Sequence, residues 1–196
     1  MDADFSIELG RDDPVLDFPW KDPAGKLAYV DLKRHPELMV EIEEAEKFPE
    51  LGEFLRVMNS ERSMVETAKC DAWATTELSP EEEVYDASHK FVSYVDVVFS
   101  NTDLHQPSVR ESLPAHEQFV RKLVELLQRV PETPSAVEVC VRRCYFVEDS
   151  GVREGFYCTL YVSGYGNDGA SARRNWAVAL KLMGNAIVQL SASRAV

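Results

Sequence analysis

The amino-acid sequence predicts an α+β fold, in which helices pack on one face of an antiparallel sheet of four to five strands. Apolar residues at every second position indicate strands, and apolar residues at every third or fourth position indicate amphipathic helices. The predicted strands come in pairs joined by short turns, and such pairs are antiparallel because a parallel pair needs a long crossover. The predicted order is (β)-α-α-β-β-α-β-β-α, and 196 residues suit a single domain.

Residues 1–26 are predicted to form an irregular N-terminal arm laid over the body of the fold. Asp-Pro pairs end at Pro14 and Pro23, and such pairs favour turns. Phe18 and Trp20 would anchor the arm by burial of their rings.

The first αββ half spans residues 27–113 and opens with a short strand candidate over 27–32. Helices are predicted to begin at Pro36 and Pro49, because proline is favoured in the first turn of a helix. Beyond these helices the apolar period changes from 3.6 to 2, which predicts two strands, 64–78 and 91–99.

The second αββα half spans residues 114–196. An apolar stripe predicts a helix over 115–130, and residues rich in β-branched and aromatic side chains predict strands over 137–147 and 156–162. A second stripe predicts a long helix over 170–190.

The two halves share a pattern that suggests an internal αββ duplication. Ser63 and Ser135 each begin a Ser-x-Val-Glu segment, and an aromatic residue, Trp73 or Tyr145, stands ten residues after each serine. Convergent patterning explains these few identities equally well.

The order of elements, together with the acidic charge and the long C-terminal helix, resembles the type III secretion chaperones and related small sensory-regulator domains. The resemblance lies in topology and charge, with no shared sequence motif. It implies a protein that acts by binding other proteins.

The charge of the chain is strongly negative and unevenly distributed. The net charge is −13, and residues 1–135 hold 29 acidic and 14 basic side chains, whereas residues 136–196 hold 5 and 7. Such a surface repels phosphate backbones, so nucleic-acid binding is not expected. The acidic surface favours solubility or a basic partner.

No apolar run approaches the roughly 20 residues of a membrane span, and the N-terminus lacks the pattern of a signal peptide. Four scattered cysteines do not form a disulfide framework. The sequence therefore predicts a cytoplasmic protein with no membrane contact.

A glycine motif, Gly164-x-Gly166-x-x-Gly169, stands between a predicted strand and a predicted helix. The spacing matches a dinucleotide-binding fingerprint, but no second parallel strand follows it. The alternative is that the glycines supply positive φ in a tight turn, with Asp168 or Ser171 as the helix cap.

The same segment contains a candidate anion site. Two arginines in the first turn of a helix oppose the helix dipole, so they indicate either a bound phosphate or carboxylate, or an ion pair with the acidic surface. The candidate anion-binding residues are Gly164, Gly166, Gly169, Ser171, Arg173 and Arg174.

Aromatic residues follow both faces of the predicted 137–162 hairpin and suggest a surface for a homodimer or a protein partner. The alternative is that these rings pack beneath the 1–26 arm. The candidate partner-binding residues are Tyr145, Tyr157, Tyr161 and Tyr165. The sequence assigns no catalytic residue, metal ligand or cofactor, so it favours a non-catalytic protein-binding or regulatory module, with a small-anion or nucleotide binder or enzyme acting through 164–174 as the alternative.

Overall fold

One six-stranded mixed sheet organises the part of the chain that the computed structural model describes, residues 1–100, 109–149 and 151–193. The strands, in chain order, are β1 (Asp2–Glu8), β2 (Val15–Phe18), β3 (Val65–Thr75), β4 (His89–Phe99), β5 (Ser135–Glu148) and β6 (Gly151–Gly166). The order across the sheet is β1-β5-β6-β4-β3, and β2 also pairs with β5.

Four α-helices lie among these strands: α1 (Glu43–Lys47), α2 (Pro49–Met58), α3 (Leu113–Gln128) and α4 (Gly169–Ala192). Short 3₁₀ helices span Pro36–Glu41, Pro80–Tyr85 and Val109–Glu111. The molecule is therefore α+β, and β3 to β6 lie close to the four strands predicted by their apolar period. Within the described residues, none of the helices combines the length and the apolar character that a membrane crossing needs.

The prediction of an irregular arm over 1–26 is wrong, because this segment contains β1 and β2. Both strands run parallel to β5, so the sheet is mixed and has six strands rather than four or five, all antiparallel. In β1, Ala3 is buried while Asp2 and Asp4 are exposed, which is the period-2 alternation of a strand. The predicted strand over 27–32 is also wrong, because the segment contributes one isolated bridge, between Lys21 and Ala28.

The β3–β4 and β5–β6 hairpins meet in the middle of the sheet, where β4 pairs with β6 in antiparallel orientation. Each hairpin follows a helix along the chain and precedes another. The internal duplication itself stays a prediction.

The four α-helices pack on one face of the sheet. Their buried residues share a single apolar cluster with alternate residues of the strands, with Trp176, Leu180 and Met183 of α4 among the largest fully buried side chains. We call the opposite face of the sheet the far face.

Part of the far face is covered by the chain that follows β1. Leu16 and Phe18 of β2 form a second apolar cluster with Cys144, Phe146 and Tyr157 of the sheet. Trp20 and Tyr29 pack against this cluster. The rest of the far face carries the polar side chains described below, and none of the four described α-helices packs on it.

Candidate functional site

The first two glycines of the 164–169 motif, Gly164 and Gly166, allow close packing between a strand and a helix. Gly164 and Gly166 lie in β6, and Gly169 is the first residue of α4. A Cβ atom on Gly164 would lie 2.1 Å from the Trp176 amide nitrogen and 2.4 Å from the Ala172 carbonyl oxygen. The prediction that these glycines supply positive φ in a tight turn is wrong, since the described glycines with positive φ are Gly25 and Gly151. The motif instead lets α4 approach β6 at backbone distance.

The polar groups at the start of α4 have partners within the protein. Asp168 and Ser171 form a capping box, in which the Ser171 amide donates to Asp168 Oδ1 at 2.6 Å and the Asp168 amide donates to Ser171 Oγ at 3.2 Å. The Arg173 guanidinium donates two hydrogen bonds to the Glu50 carboxylate, at 3.1 and 2.7 Å. Arg174 is exposed. These contacts favour the ion-pair alternative, and the anion site at this position stays a prediction.

The structure separates the four candidate tyrosines into three environments. Tyr145 is 37% exposed near the end of the β5–β6 hairpin. Tyr165 is buried, stacks on Tyr85 with ring centroids 4.1 Å apart, and donates a hydrogen bond to Glu82 at 2.6 Å. Tyr157 and Tyr161 share a concave surface on the far face.

That surface is an open cleft of about 680 Å³, which we call the far-face cleft. Its floor is the far face of β3, β4, β5 and β6, and its wall is the segment from Pro14 to Pro23, which includes β2. Besides the two tyrosines, the floor contributes Lys69, Tyr94, Asp96, Arg142 and Thr159, and the wall contributes Trp20. The volume lies within the usual range for pockets that hold small molecules.

Arg142 is held in the floor of the cleft by partners on two sides. Its Nε donates to Glu8 Oε2 at 2.7 Å, and its Nη1 donates to Thr159 Oγ1 at 3.0 Å and to the Tyr161 hydroxyl at 3.2 Å. Burial would raise the pKa of Glu8, but the hydrogen bonds from Arg142 and Ser6 outweigh burial and lower it. Arg142 and Glu8 therefore neutralise each other as an ion pair.

Asp96 is a buried acid with one oxygen bonded. It is 8% exposed, and its Oδ1 accepts a hydrogen bond from Thr159 Oγ1 at 2.7 Å. Within the described residues, no side chain donates to Oδ2. Burial raises the pKa of Asp96 to about 6, although the Thr159 hydrogen bond and the charges of Lys69 and Arg142 act in the opposite direction.

The Lys69 ammonium makes cation–π contacts with two aromatic rings of the cleft. Its Nζ lies 5.1 Å from the centre of the Trp20 ring and 5.7 Å from the centre of the Tyr94 ring. Among the described ion pairs, none involves Lys69. An ammonium group between two rings and without a carboxylate partner is able to accept an anionic group of a ligand.

A possible metal-ligand group lies beside this cleft at the β1–β5 pair. Potential ligand atoms of Glu8, Glu138 and Cys140 lie within 4.8 Å of one another. The Glu8 carboxylate already accepts a hydrogen bond from Arg142. Burial raises the pKa of the Cys140 thiol to about 12, which disfavours the thiolate that a metal needs. These contacts do not favour a metal at this position.

Sequence reasoning identified two residues of the far-face cleft, Tyr157 and Tyr161, and missed Lys69, Asp96 and Arg142. A signal was present, because Asp96 stands between Val95 and Val97 in a strand where apolar residues dominate. The convergence itself depends on the pairing of strands that lie far apart in the chain.

Comparison of the chain with protein-family models, with curated proteins and with solved structures finds no match.

Proposed function

We propose that this protein is a non-catalytic, cytoplasmic binding module with a regulatory role, and that the far-face cleft is its recognition site. One observation carries the proposal: charged side chains of both signs and several aromatic rings converge in an open cleft on the far face. Concave surfaces with a few convergent polar groups and perturbed pKa values are typical of binding sites.

The free-energy cost of burying the Asp96 carboxylate supports a functional role for the far-face cleft. Burial of an ionised carboxylate costs free energy unless its oxygens are fully hydrogen-bonded. Burial raises the pKa of Asp96, so its ionised form is less well stabilised in the folded protein than in water. An apolar side chain at this position would avoid that cost, which argues that the carboxylate serves recognition.

The lining of the cleft offers no well-placed nucleophile among the described residues. Within the described residues, the lining contains no histidine, cysteine or serine. Its one aliphatic hydroxyl belongs to Thr159, which is 1% exposed, donates to Asp96 and accepts from Arg142. A hydroxyl in that position orients Asp96 and is poorly placed to attack a substrate.

The protein partner or homodimer that the sequence predicts stays a prediction. A regulatory module of this kind would bind a ligand in the cleft and change its contact with that partner. Exposed Trp73 supports such a contact, because it lies at the sheet edge with its ring centroid 6.4 Å from that of Tyr94. The cleft and an exposed aromatic ring are thus neighbours.

Site-specific photocrosslinking tests the proposal in the cells from which the protein comes. Benzoylphenylalanine replaces Trp73, which is 41% exposed beside the cleft, or Val178, which is 47% exposed on α4 and serves as the control. We expect a discrete adduct from position 73 that is absent at position 178, and Lys69→Glu should abolish it while Lys122→Glu on α3 leaves it intact. Equal labelling at both positions, or an adduct insensitive to Lys69→Glu, would contradict the proposal.

A further inference from the structure

Lys69 and Asp96 occupy facing positions on neighbouring strands. The β3–β4 register pairs these two residues directly, and both side chains line the far-face cleft. Opposite charges at such cross-strand positions usually attract each other and contribute to the stability of the sheet. An ion pair between them would be the expected arrangement.

The two charges influence each other without a direct ion pair, since the charge of Lys69 acts to lower the pKa of Asp96. The Lys69 ammonium lies over the rings of Trp20 and Tyr94, and the described ion pairs do not include a Lys69–Asp96 contact. The second oxygen of Asp96 accepts no hydrogen bond from a described side chain, whereas the first is bound by Thr159. The cleft therefore presents a separate donor and a separate acceptor.

Among the described residues, two charged groups of the cleft floor have no direct ion pair and are of opposite sign, although the chain as a whole carries −13. Arg142 is neutralised by Glu8, so these two groups are Lys69 and Asp96. Separate positive and negative groups suit a ligand that itself carries both charges. A simple anion or a simple cation would satisfy one group and leave the other unpaired.

We infer that the far-face cleft binds a small zwitterion of the α-amino-acid type with an aromatic side group. The ligand ammonium lies against Asp96, its carboxylate lies against Lys69, and its ring packs against the tyrosine rings of the cleft. This inference rests on the proposed function, because it names the ligand class of the same site. The volume of about 680 Å³ accommodates a molecule of that size.

Isothermal titration calorimetry with matched probes tests this inference. The probes are phenylalanine, tyrosine and tryptophan, together with 3-phenylpropionate, which lacks the ammonium group, and 2-phenylethylamine, which lacks the carboxylate. We expect at least one of the amino acids to bind more tightly than either fragment by about tenfold or more.

Two conservative variants assign the ends of the ligand. Lys69→Met should weaken the amino acid and 3-phenylpropionate by about tenfold and leave 2-phenylethylamine unchanged. Asp96→Asn should weaken the amino acid and 2-phenylethylamine and leave 3-phenylpropionate unchanged. Lys122→Met on α3 is the matched control and should bind every probe as the wild type does.

No binding of the amino acids in the millimolar range would overturn the inference, and so would fragments that bind as tightly as the amino acids. Identical losses of affinity for all probes in Lys69→Met and Asp96→Asn would also overturn it. Such losses would mean that Lys69 and Asp96 maintain the cleft together, and that neither binds one end of the ligand. If the adduct at position 73 still depends on Lys69, the proposed function stands and the ligand class alone fails. If that dependence is absent as well, the cleft is not the recognition site.

Discussion

Arg173 at the start of helix α4 and Lys69 in the far-face cleft each lie close to an acidic side chain, but only Arg173 forms a described ion pair with it. At α4, Arg173 makes two hydrogen bonds to Glu50, and Asp168 and Ser171 cap each other. In the cleft, Lys69 rests on aromatic rings and one oxygen of Asp96 has no described donor. The start of α4, which carries the glycine motif, thus pairs Arg173 within the protein. The cleft, which has no sequence motif, contains Lys69 and Asp96 without a described ion pair.

This difference gives the two regions opposite dependences of stability on pH. The Arg173 hydrogen bond lowers the pKa of Glu50, so the pair stabilises the fold above the ordinary pKa of a glutamate and this contribution is lost as the pH falls. Burial raises the pKa of Asp96 to about 6, so the fold binds its proton more tightly than the unfolded chain does. The stability that protonated Asp96 contributes is therefore lost as the pH rises from about 4 to about 6.

The largest effect is expected from a methyl group at the β6–α4 contact. Gly164→Ala should lower the free energy of unfolding by about 3 kcal/mol or more, because the new Cβ meets the backbone of Ala172 and Trp176 and the helix has to move. Gly169→Ala is the matched control, since nothing lies within 4 Å of its Cβ, and it should stay within about 1 kcal/mol of the wild type. Urea unfolding measures both variants, and equal stability of the two would contradict the packing role of the motif.

The next effect concerns the buried acid of the cleft. Asp96→Asn keeps an oxygen that accepts from Thr159 but removes the charge, so it should stabilise the fold at pH 7.5 by up to about 3 kcal/mol, the equivalent of a shift of about two pKa units. Urea unfolding at a series of pH values should show the two proteins converging near pH 4. A variant less stable than the wild type at pH 7.5 would mean that the ionised carboxylate stabilises the fold. The contrast between Asp96 and the Arg173–Glu50 pair would then be wrong.

A smaller effect of the opposite sign is expected at α4. Arg173→Met should destabilise the fold by about 1 kcal/mol at pH 7, because it removes a partly exposed ion pair with Glu50. The difference from the wild type should shrink as the pH falls below the ordinary pKa of a glutamate, because protonation of Glu50 removes the ion pair. Arg174→Met is the control, because Arg174 is exposed and makes no described ion pair, and thermal unfolding of the two variants should separate them clearly. Indistinguishable variants would show that the Arg173–Glu50 pair contributes little.

The smallest change in stability is expected for Lys69→Met. The methionine keeps the apolar contact with Trp20 and Tyr94 and loses only a cation that has no described carboxylate partner, so the free energy of unfolding should change by less than about 1 kcal/mol. Urea unfolding beside Lys122→Met checks this. A loss as large as that of Arg173→Met would indicate a structural role for Lys69.

Local patterns in the sequence predicted the elements whose apolar period is long and regular. The stripes of α3 and α4 and the alternation in β4, β5 and β6 depend on neighbouring residues, so a single sequence contains the information. The parallel pairing of β1 with β5 places Asp2 beside Ala136, and no local pattern specifies a partner that distant in the chain. The proline-rich turns that follow β1 also favour an irregular segment, which obscures its alternation.

The candidate site was less accessible to prediction for the same reason. Lys69, Asp96 and Arg142 come from three strands, and their meeting depends on the register of β3, β4, β6 and β5. The glycine motif, by contrast, is contiguous and conspicuous, but its spacing alone does not distinguish a phosphate-binding turn from a close strand–helix contact. The close approach of the α4 backbone to Gly164 makes that distinction, and it is visible only in the folded structure.

The most direct test of the central claim, that the far-face cleft is the recognition site, is native mass spectrometry of the protein purified gently from its own cells. Lys69→Met and Arg173→Met each remove one cation, one in the cleft and one at α4. We expect that a bound component, small molecule or protein, accompanies the wild type and Arg173→Met and is lost from Lys69→Met. A component lost from Arg173→Met and retained by Lys69→Met would contradict recognition by the cleft and assign it to the start of α4.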